Sequence, residues 1–229
     1  MSRRHFGRGL YPRSKPFGRW TESRPENAEN EVGAGIALFD FDGTLIAGDS
    51  LPAFLIELGG RVRLGCVLLP AVIGALVGHL IGRPPGVDLR GSIKALLLRS
   101  TLAGVPIAEI EAAARRLKER LRWLEPQVDV LKAHAAAGRR IVVASGALDI
   151  YLRILLEGLP VHDIMATAME IRDGVVTGRL AGENCVRAAK AEQVQAYLAA
   201  YSGRRPSWGY GNRPDDLAML ALVDHPTVV

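Results

Sequence analysis

The chain reads as an α/β protein built on a mainly parallel sheet, with an all-helical segment inserted after its first strand. Three observations predict this. An apolar run, Gly35 to Phe39, ends abruptly in Asp40 and Asp42. Residues 49 to about 125 carry helix-period apolar positions and no alternating pattern. After Pro126, strand and helix signals alternate to the end of the chain, as expected when parallel strands are joined by crossover helices.

The first strand spans Gly35 to Asp40. Asp40 and Asp42 are two residues apart, so an extended backbone projects both to one side. Gly43 then permits a sharp turn. Ligands of open α/β sheets bind beyond the carboxyl ends of the strands, so two acids there suit a nucleophile beside a general acid/base. In the helical insertion, Leu51 to Leu58 forms a short amphipathic piece. Leu89 to Leu102 and Ile107 to Leu124 form longer helices, and Pro84-Pro85-Gly86 is a break. Val128 to Ala137 is the next helix, ending at Gly138. Arg140 to Ala144 is a β-branched strand closed by Ser145-Gly146, and a helix follows from about Leu148 to Glu157. Asp173-Gly174 between two alternating runs predicts a hairpin over Ala166 to Leu180. A helix over Ala188 to Tyr201, a strand over Ser207 to Gly211 and a short helix over Asp216 to Val223 come next. Thr227 to Val229 looks like the beginning of a last strand, which the chain is expected to cut short.

Residues 1–34 hold seven Lys/Arg against four acids, or three of the five net positive charges, without apolar periodicity. They read as a disordered basic tail. The nearly neutral remainder argues against a nucleic-acid surface. Cys66 and Cys185 form no Cys-x-x-Cys pair, so zinc and a disulfide framework are not expected and a reducing cytoplasm is. The nineteen residues from Leu64 to Gly82 carry no formal charge and are flanked by Arg61, Arg63 and Arg83. They approach the ~20 residues of a membrane span. Pro70, His79 and four glycines oppose that reading, as does the position between two segments of one sheet. A buried pair of cap helices is preferred, with a membrane-surface contact as the alternative.

The string Asp40-Phe41-Asp42-Gly43-Thr44-Leu45 after an apolar run resembles the first motif of the haloacid dehalogenase (HAD) superfamily. Three later segments follow in that family's order. Ser145-Gly146 resembles the second motif. Asn184-Cys185 and Lys190 resemble the third motif of phosphoserine-phosphatase-like members (subfamily IB). Gly209-Tyr210-Gly211-Asn212-Arg213-Pro214-Asp215-Asp216 resembles the fourth, with Asn212 standing where an Asp is usual.

The resemblance implies a Rossmann-like core, residues 35–48 and 126–229, with a C1-type helical cap over 49–125. It implies a Mg2+-dependent phosphomonoester hydrolase working through an aspartyl-phosphate. Asp40 would be the nucleophile and Asp42 the acid/base. Ser145, Gly146 and Lys190 would bind phosphate, and Asp40, Asp42, Asn212 and Asp216 would hold the metal. Asp49 and Lys94 stand where phosphoserine phosphatases place substrate-binding residues. Asp49 serves equally as a helix cap, and Lys94 as a surface charge. The expected substrate is a small phosphorylated metabolite. The apolar insertion keeps open a lipid phosphate such as phosphatidylglycerophosphate, and Asn212 keeps open a weakly active module with a binding or scaffold role. Nothing in the sequence fixes the oligomeric state.

Overall fold

The computed structural model describes residues 35–60, 70, 73, 89–201, 206–212 and 214–229. The basic tail expected over 1–34, Cys66, and residues 64–82 other than Pro70 and Ile73 therefore lie outside the described residues, as does the Pro84-Pro85-Gly86 break.

A five-stranded parallel sheet has the order β3-β2-β1-β6-β7. Its centre is β1 (Ile36–Phe39), whose four residues are all buried. A strand covered on both faces needs a continuous apolar run rather than alternation. On one side of it lie β2 (Arg140–Leu148) and β3 (Asp163–Thr167). On the other lie β6 (Ser207–Gly211) and β7 (His225–Val228). β1 thus sits where the strand order reverses direction, the place such sheets use for ligands.

The helices are α1 (residues 50–60), α2 (Leu89–Leu102), α3 (Ile107–Lys118), α4 (Glu125–Ala136), α5 (Asp149–Leu155), α6 (Arg187–Ala200) and α7 (Leu217–Leu220). α3 buries Ile110, Ala113, Ala114 and Leu117, one stripe at i, i+3, i+4 and i+7, and packs on α5. α4 begins at Glu125-Pro126, where proline costs no helix hydrogen bond, and ends before Gly138 at φ 71°.

β4 (Met169–Arg172) and β5 (Val175–Leu180) form the expected hairpin. Its turn residues, Asp173 and Gly174, both have positive φ, as a tight two-residue connection requires. The hairpin is fastened to the junction between α2 and α3. Gly104 N–H donates to Val176 O at 2.9 Å, Val176 N–H to Val105 O at 2.9 Å, and Ile107 N–H to Gly174 O at 3.0 Å. A Cβ on Gly178 would lie 2.9 Å from Arg99 Cα, so only glycine allows this approach.

Four sequence expectations are corrected. β2 does not close at Ala144 but continues through Ser145-Gly146 to Leu148, with a shift of register against β3. β3 was not expected as a separate strand. Its unbranched Met165 and Ala166 carry little strand signal, and Ala166 and Thr167 fall within the hairpin expected over Ala166 to Leu180. Helix α3 ends at Lys118, not Leu124, because residues 122–124 return to the sheet core. Ala47 N–H donates to Arg122 O at 2.8 Å and Leu124 N–H to Leu45 O at 2.9 Å, and Ile46 bridges Trp123. The last strand starts at His225 rather than Thr227, paired with β6 from Trp208 to Gly211.

Candidate active site

The nine residues singled out by sequence converge on one cavity of about 500 Å³ at the carboxyl edge of the sheet. Asp40, Asp42 and Asp49 come from the segment after β1. Ser145 and Gly146 come from β2, Lys190 from α6, Asn212 and Asp216 from the segment after β6, and Lys94 from α2.

Lys190 is the electrostatic centre of one wall. Its Nζ donates to Asp40 Oδ1 at 2.7 Å and to Asp216 Oδ1 at 2.6 Å. All three side chains are buried. Burial alone would lower the ammonium, but the two carboxylates outweigh it and push Lys190 up to about 12. Asp40 is likewise raised from its ordinary value. Burial raises it, and the Lys190 charge offsets part of that rise. The α6 register that delivers Lys190 is anchored one helix end away, where Tyr197 and Arg140 meet the Asp163 carboxylate.

Asp42 has a different environment. Ser50 N–H, at the start of α1, donates to its Oδ1 at 2.8 Å. Burial and the nearby Asp49 carboxylate push it up to about 7. Ser50 Oγ is hydrogen-bonded to the buried Tyr151 hydroxyl at 3.0 Å, which ties α1 to α5.

Lys94 is the second lysine of the cavity lining. Its Nζ donates to Gly146 O at 2.8 Å and to Asn184 Oδ1 at 2.6 Å. Burial lowers this ammonium to about 8, while Asp49 and Asp42 oppose the shift. It is a built-in group rather than a surface charge. Asp49 caps α1, its Oδ1 accepting Leu51 N–H at 2.9 Å, and it also lines the cavity.

Ser145 corrects the sequence reading in one respect. It lies within β2, and α5 begins only at Asp149, so no helix N-terminus stands directly behind it. Its Oγ accepts Ala147 N–H at 3.1 Å across the irregular stretch of the strand.

Thr167, buried behind the cavity lining, is a supporting residue that sequence reasoning missed. Its Oγ1 lies 3.0 Å from Gly146 O and 2.9 Å from Asn184 Oδ1, and it accepts Cys185 N–H at 3.1 Å. A lone threonine at the end of an unrecognised strand offered no signal. Cys185 is buried, its thiol pushed up to about 11 by burial, and is unsuited to nucleophilic work.

Hard oxygen donors suited to a small divalent cation gather at the floor: the carboxylates of Asp40 and Asp216, the main-chain carbonyl of Asp42 and the amide of Asn212. Asn212 Nδ2 donates to Asp42 O at 2.8 Å. Neighbouring ligands of octahedral magnesium stand about 2.9 Å apart, given bonds of roughly 2.0–2.1 Å. The donor set fits once the amide presents its oxygen. Among the described residues no group of three or more His, Cys, Asp or Glu side chains is placed to hold a metal ion.

Comparison with known proteins gives a consistent placement. A family model described as haloacid dehalogenase-like hydrolase matches residues 37–221. The chain is 31% identical over 207 residues to Protein CicA of Caulobacter vibrioides, covering 88% of this chain and 89% of that protein. It is 24% identical over 189 residues to phosphoserine phosphatase SerB2 of Mycobacterium tuberculosis, covering 82% of this chain and 42% of that one. Among solved structures, a protein of unknown function from Bordetella pertussis aligns with a TM-score of 0.66 at 22% identity, over 85% of this chain and 89% of that chain. A phospho-aspartyl intermediate analogue of phosphoserine phosphatase aligns with a TM-score of 0.59 at 22% identity, over 85% and 86%. These structures share the fold, and the family model spans all four motif segments. The chain belongs to the haloacid dehalogenase-like hydrolase family.

Proposed function

We propose that the chain is a magnesium-dependent phosphomonoester hydrolase that works through an aspartyl-phosphate on Asp40. The observation that carries this reading is the pair of unlike carboxyl groups after β1. Asp40 is held against the Lys190 ammonium, while Asp42 is kept apart from it and pushed up to about 7. Burial raises both, but only Asp40 has an ammonium against it, and two carboxyl groups in such different surroundings suit a nucleophile and an acid/base.

In the first step an Asp40 oxygen attacks phosphorus and the bond from phosphorus to the ester oxygen breaks. Asp42 gives its proton to the departing alkoxide. In the second step water attacks the phosphorus, Asp42 takes its proton, and the bond to Asp40 breaks to release inorganic phosphate. Lys190, Ser145 and the Gly146–Ala147 backbone hold the phosphoryl group, since phosphoryl transfer depends mainly on positioning and charge neutralisation.

HAD phosphatases such as phosphoserine phosphatase generally use Mg2+. Here Asp40, the Asp42 carbonyl, Asn212 through its side-chain oxygen, and Asp216 would hold it, and its charge would offset that of the phosphoryl oxygens. Helices α1–α3 serve as the cap. Asp49 and Lys94 face the group carried by the phosphate, an acid and a base suited to a small substrate with charges of its own. Among the described residues no helix is long and apolar enough to cross a membrane.

Phosphate release from phosphoserine, other small phosphomonoesters and micellar phosphatidylglycerophosphate, with Mg2+ or with EDTA, tests this. Release that needs Mg2+ and disappears in Asp40→Asn is the expected result, and the preferred substrate separates a soluble role from a lipid one. Undiminished release by Asp40→Asn would end the nucleophile assignment.

A further inference from the structure

β1 and β6 pair in register up to Phe39 and Tyr210, and Asp40 N–H donates to Tyr210 O at 2.9 Å. The next link between these two segments is made by a side chain. Asn212 Nδ2 donates to the Asp42 carbonyl at 2.8 Å. Asn212 is itself held from behind: its N–H donates to Asp216 Oδ2 at 2.9 Å, and Asp216 N–H donates to Asn212 O at 3.3 Å. Asp216 Oδ1 in turn accepts Lys190. The contact is close enough to dictate a neighbour, because a Cβ on Gly43 would lie 2.5 Å from Asn212 Nδ2.

An aspartate at this position would set a carboxylate oxygen against the Asp42 carbonyl oxygen, acceptor facing acceptor. Only a cation between them would make that arrangement favourable. Asparagine has one face of each kind, and a half-turn of its amide exchanges nitrogen for oxygen at nearly the same point.

We infer that the Asn212 amide is a built-in substitute for the cation. With no cation bound, Nδ2 bridges the β6 segment to the Asp42 carbonyl and keeps the floor of the site assembled. When a cation binds, the amide turns over and presents Oδ1 to it. The bridge rests on geometry alone, and its release by a cation rests on the magnesium-dependent reading above. Two consequences follow. The cation-free site is stable, and cation binding is weakened because it must displace a hydrogen bond and gains no carboxylate.

The test uses the full chain in EDTA and in saturating Mg2+, as wild type, Asn212→Asp and Asn212→Ala. In EDTA both variants should melt lower than wild type, by about 2–4 °C for the loss of one such bond. Mg2+ should restore Asn212→Asp and leave Asn212→Ala low. Calorimetry should give Asn212→Asp at least a roughly tenfold tighter Mg2+ affinity than wild type, the gain expected from one added charge-assisted ligand. By NMR, the side-chain amide pair missing from the Asn212→Ala spectrum should be protected from solvent exchange in EDTA and lose that protection in Mg2+. An unprotected Asn212 amide in EDTA, or an Asn212→Asp variant as heat-stable there as wild type, would overturn the bridge. Protection unchanged by Mg2+ would overturn the turn-over of the amide. Phosphate release is read separately from the same samples. Its absence beside a protected amide would count against the phosphatase reading and leave the bridge standing.

Discussion

Two lysines line the cavity, Lys190 buried and Lys94 half-buried, and their surroundings are opposite. Lys190 contacts two carboxylates and is pushed up to about 12. Lys94 contacts two neutral oxygens and is lowered to about 8. The first charge is balanced within the protein and holds the catalytic floor together. Among the described residues the second donates no hydrogen bond to a carboxylate, although Asp49 and Asp42 lie near enough to oppose its shift. Under the proposed function, Lys190 would serve the chemistry common to any phosphate ester and Lys94 the recognition of what the phosphate is attached to.

The largest effect should come from the floor. Asp40→Asn should reduce turnover by a factor on the order of 10⁴ or more while the protein stays folded, measured as phosphate release and by circular dichroism. Lys190→Met should cost stability as well as activity. It leaves Asp40 and Asp216 buried together without a counter-charge, and breaking such an arrangement costs about 3–5 kcal/mol. Denaturant unfolding measures this, and a loss under about 1 kcal/mol would deny Lys190 its central place.

Lys94→Met should behave differently, raising KM for an anionic substrate about tenfold with a smaller change in kcat, as expected for loss of one charge-assisted contact. The pH dependence sharpens the contrast. The folded pKa of Lys94 lies below its unfolded value of 10.5. The folded state therefore binds fewer protons than the unfolded state between about pH 8 and 10.5, and this group's contribution to stability rises with pH in that window. For Lys190 the folded value lies above 10.5, so its contribution is complete below 10.5 and is lost as pH climbs towards about 12. The melting temperature of wild type should rise relative to that of Lys94→Met from pH 8 to 10.5, and a fall would contradict the lowered pKa. KM for an anionic substrate should rise above about pH 8 in wild type only.

The smallest effect is expected from Tyr151→Phe. It removes the hydroxyl that holds Ser50 and should cost about 1 kcal/mol of stability, with KM unchanged.

The floor was legible because its chemistry is concentrated in short strings. Asp40 and Asp42 end an unbroken apolar strand, and Asp216 keeps its spacing from Asn212. Even Lys190, 150 residues from Asp40, could be placed from the segment around it. The second lysine was less legible. Lys94 and Asp49 each had an ordinary alternative, and the partners that settle Lys94, Gly146 O and Asn184, become neighbours only through tertiary packing. Thr167 and β3 were missed for the same reason. Met165-Ala166-Thr167 becomes a strand by pairing with β2, against a weak local preference. The return of residues 122–124 to the segment after β1 is likewise held by backbone bonds over a long sequence separation, which no local pattern announces.

The most direct test of the account is to trap the covalent intermediate. The protein is mixed with a generic phosphomonoester and Mg2+, quenched in acid within one turnover, and its peptides are read by mass spectrometry. The account predicts one phosphoryl group on Asp40 and none in the Asp40→Asn variant. Phosphate release with no labelled peptide, or a label on any other residue, would contradict it.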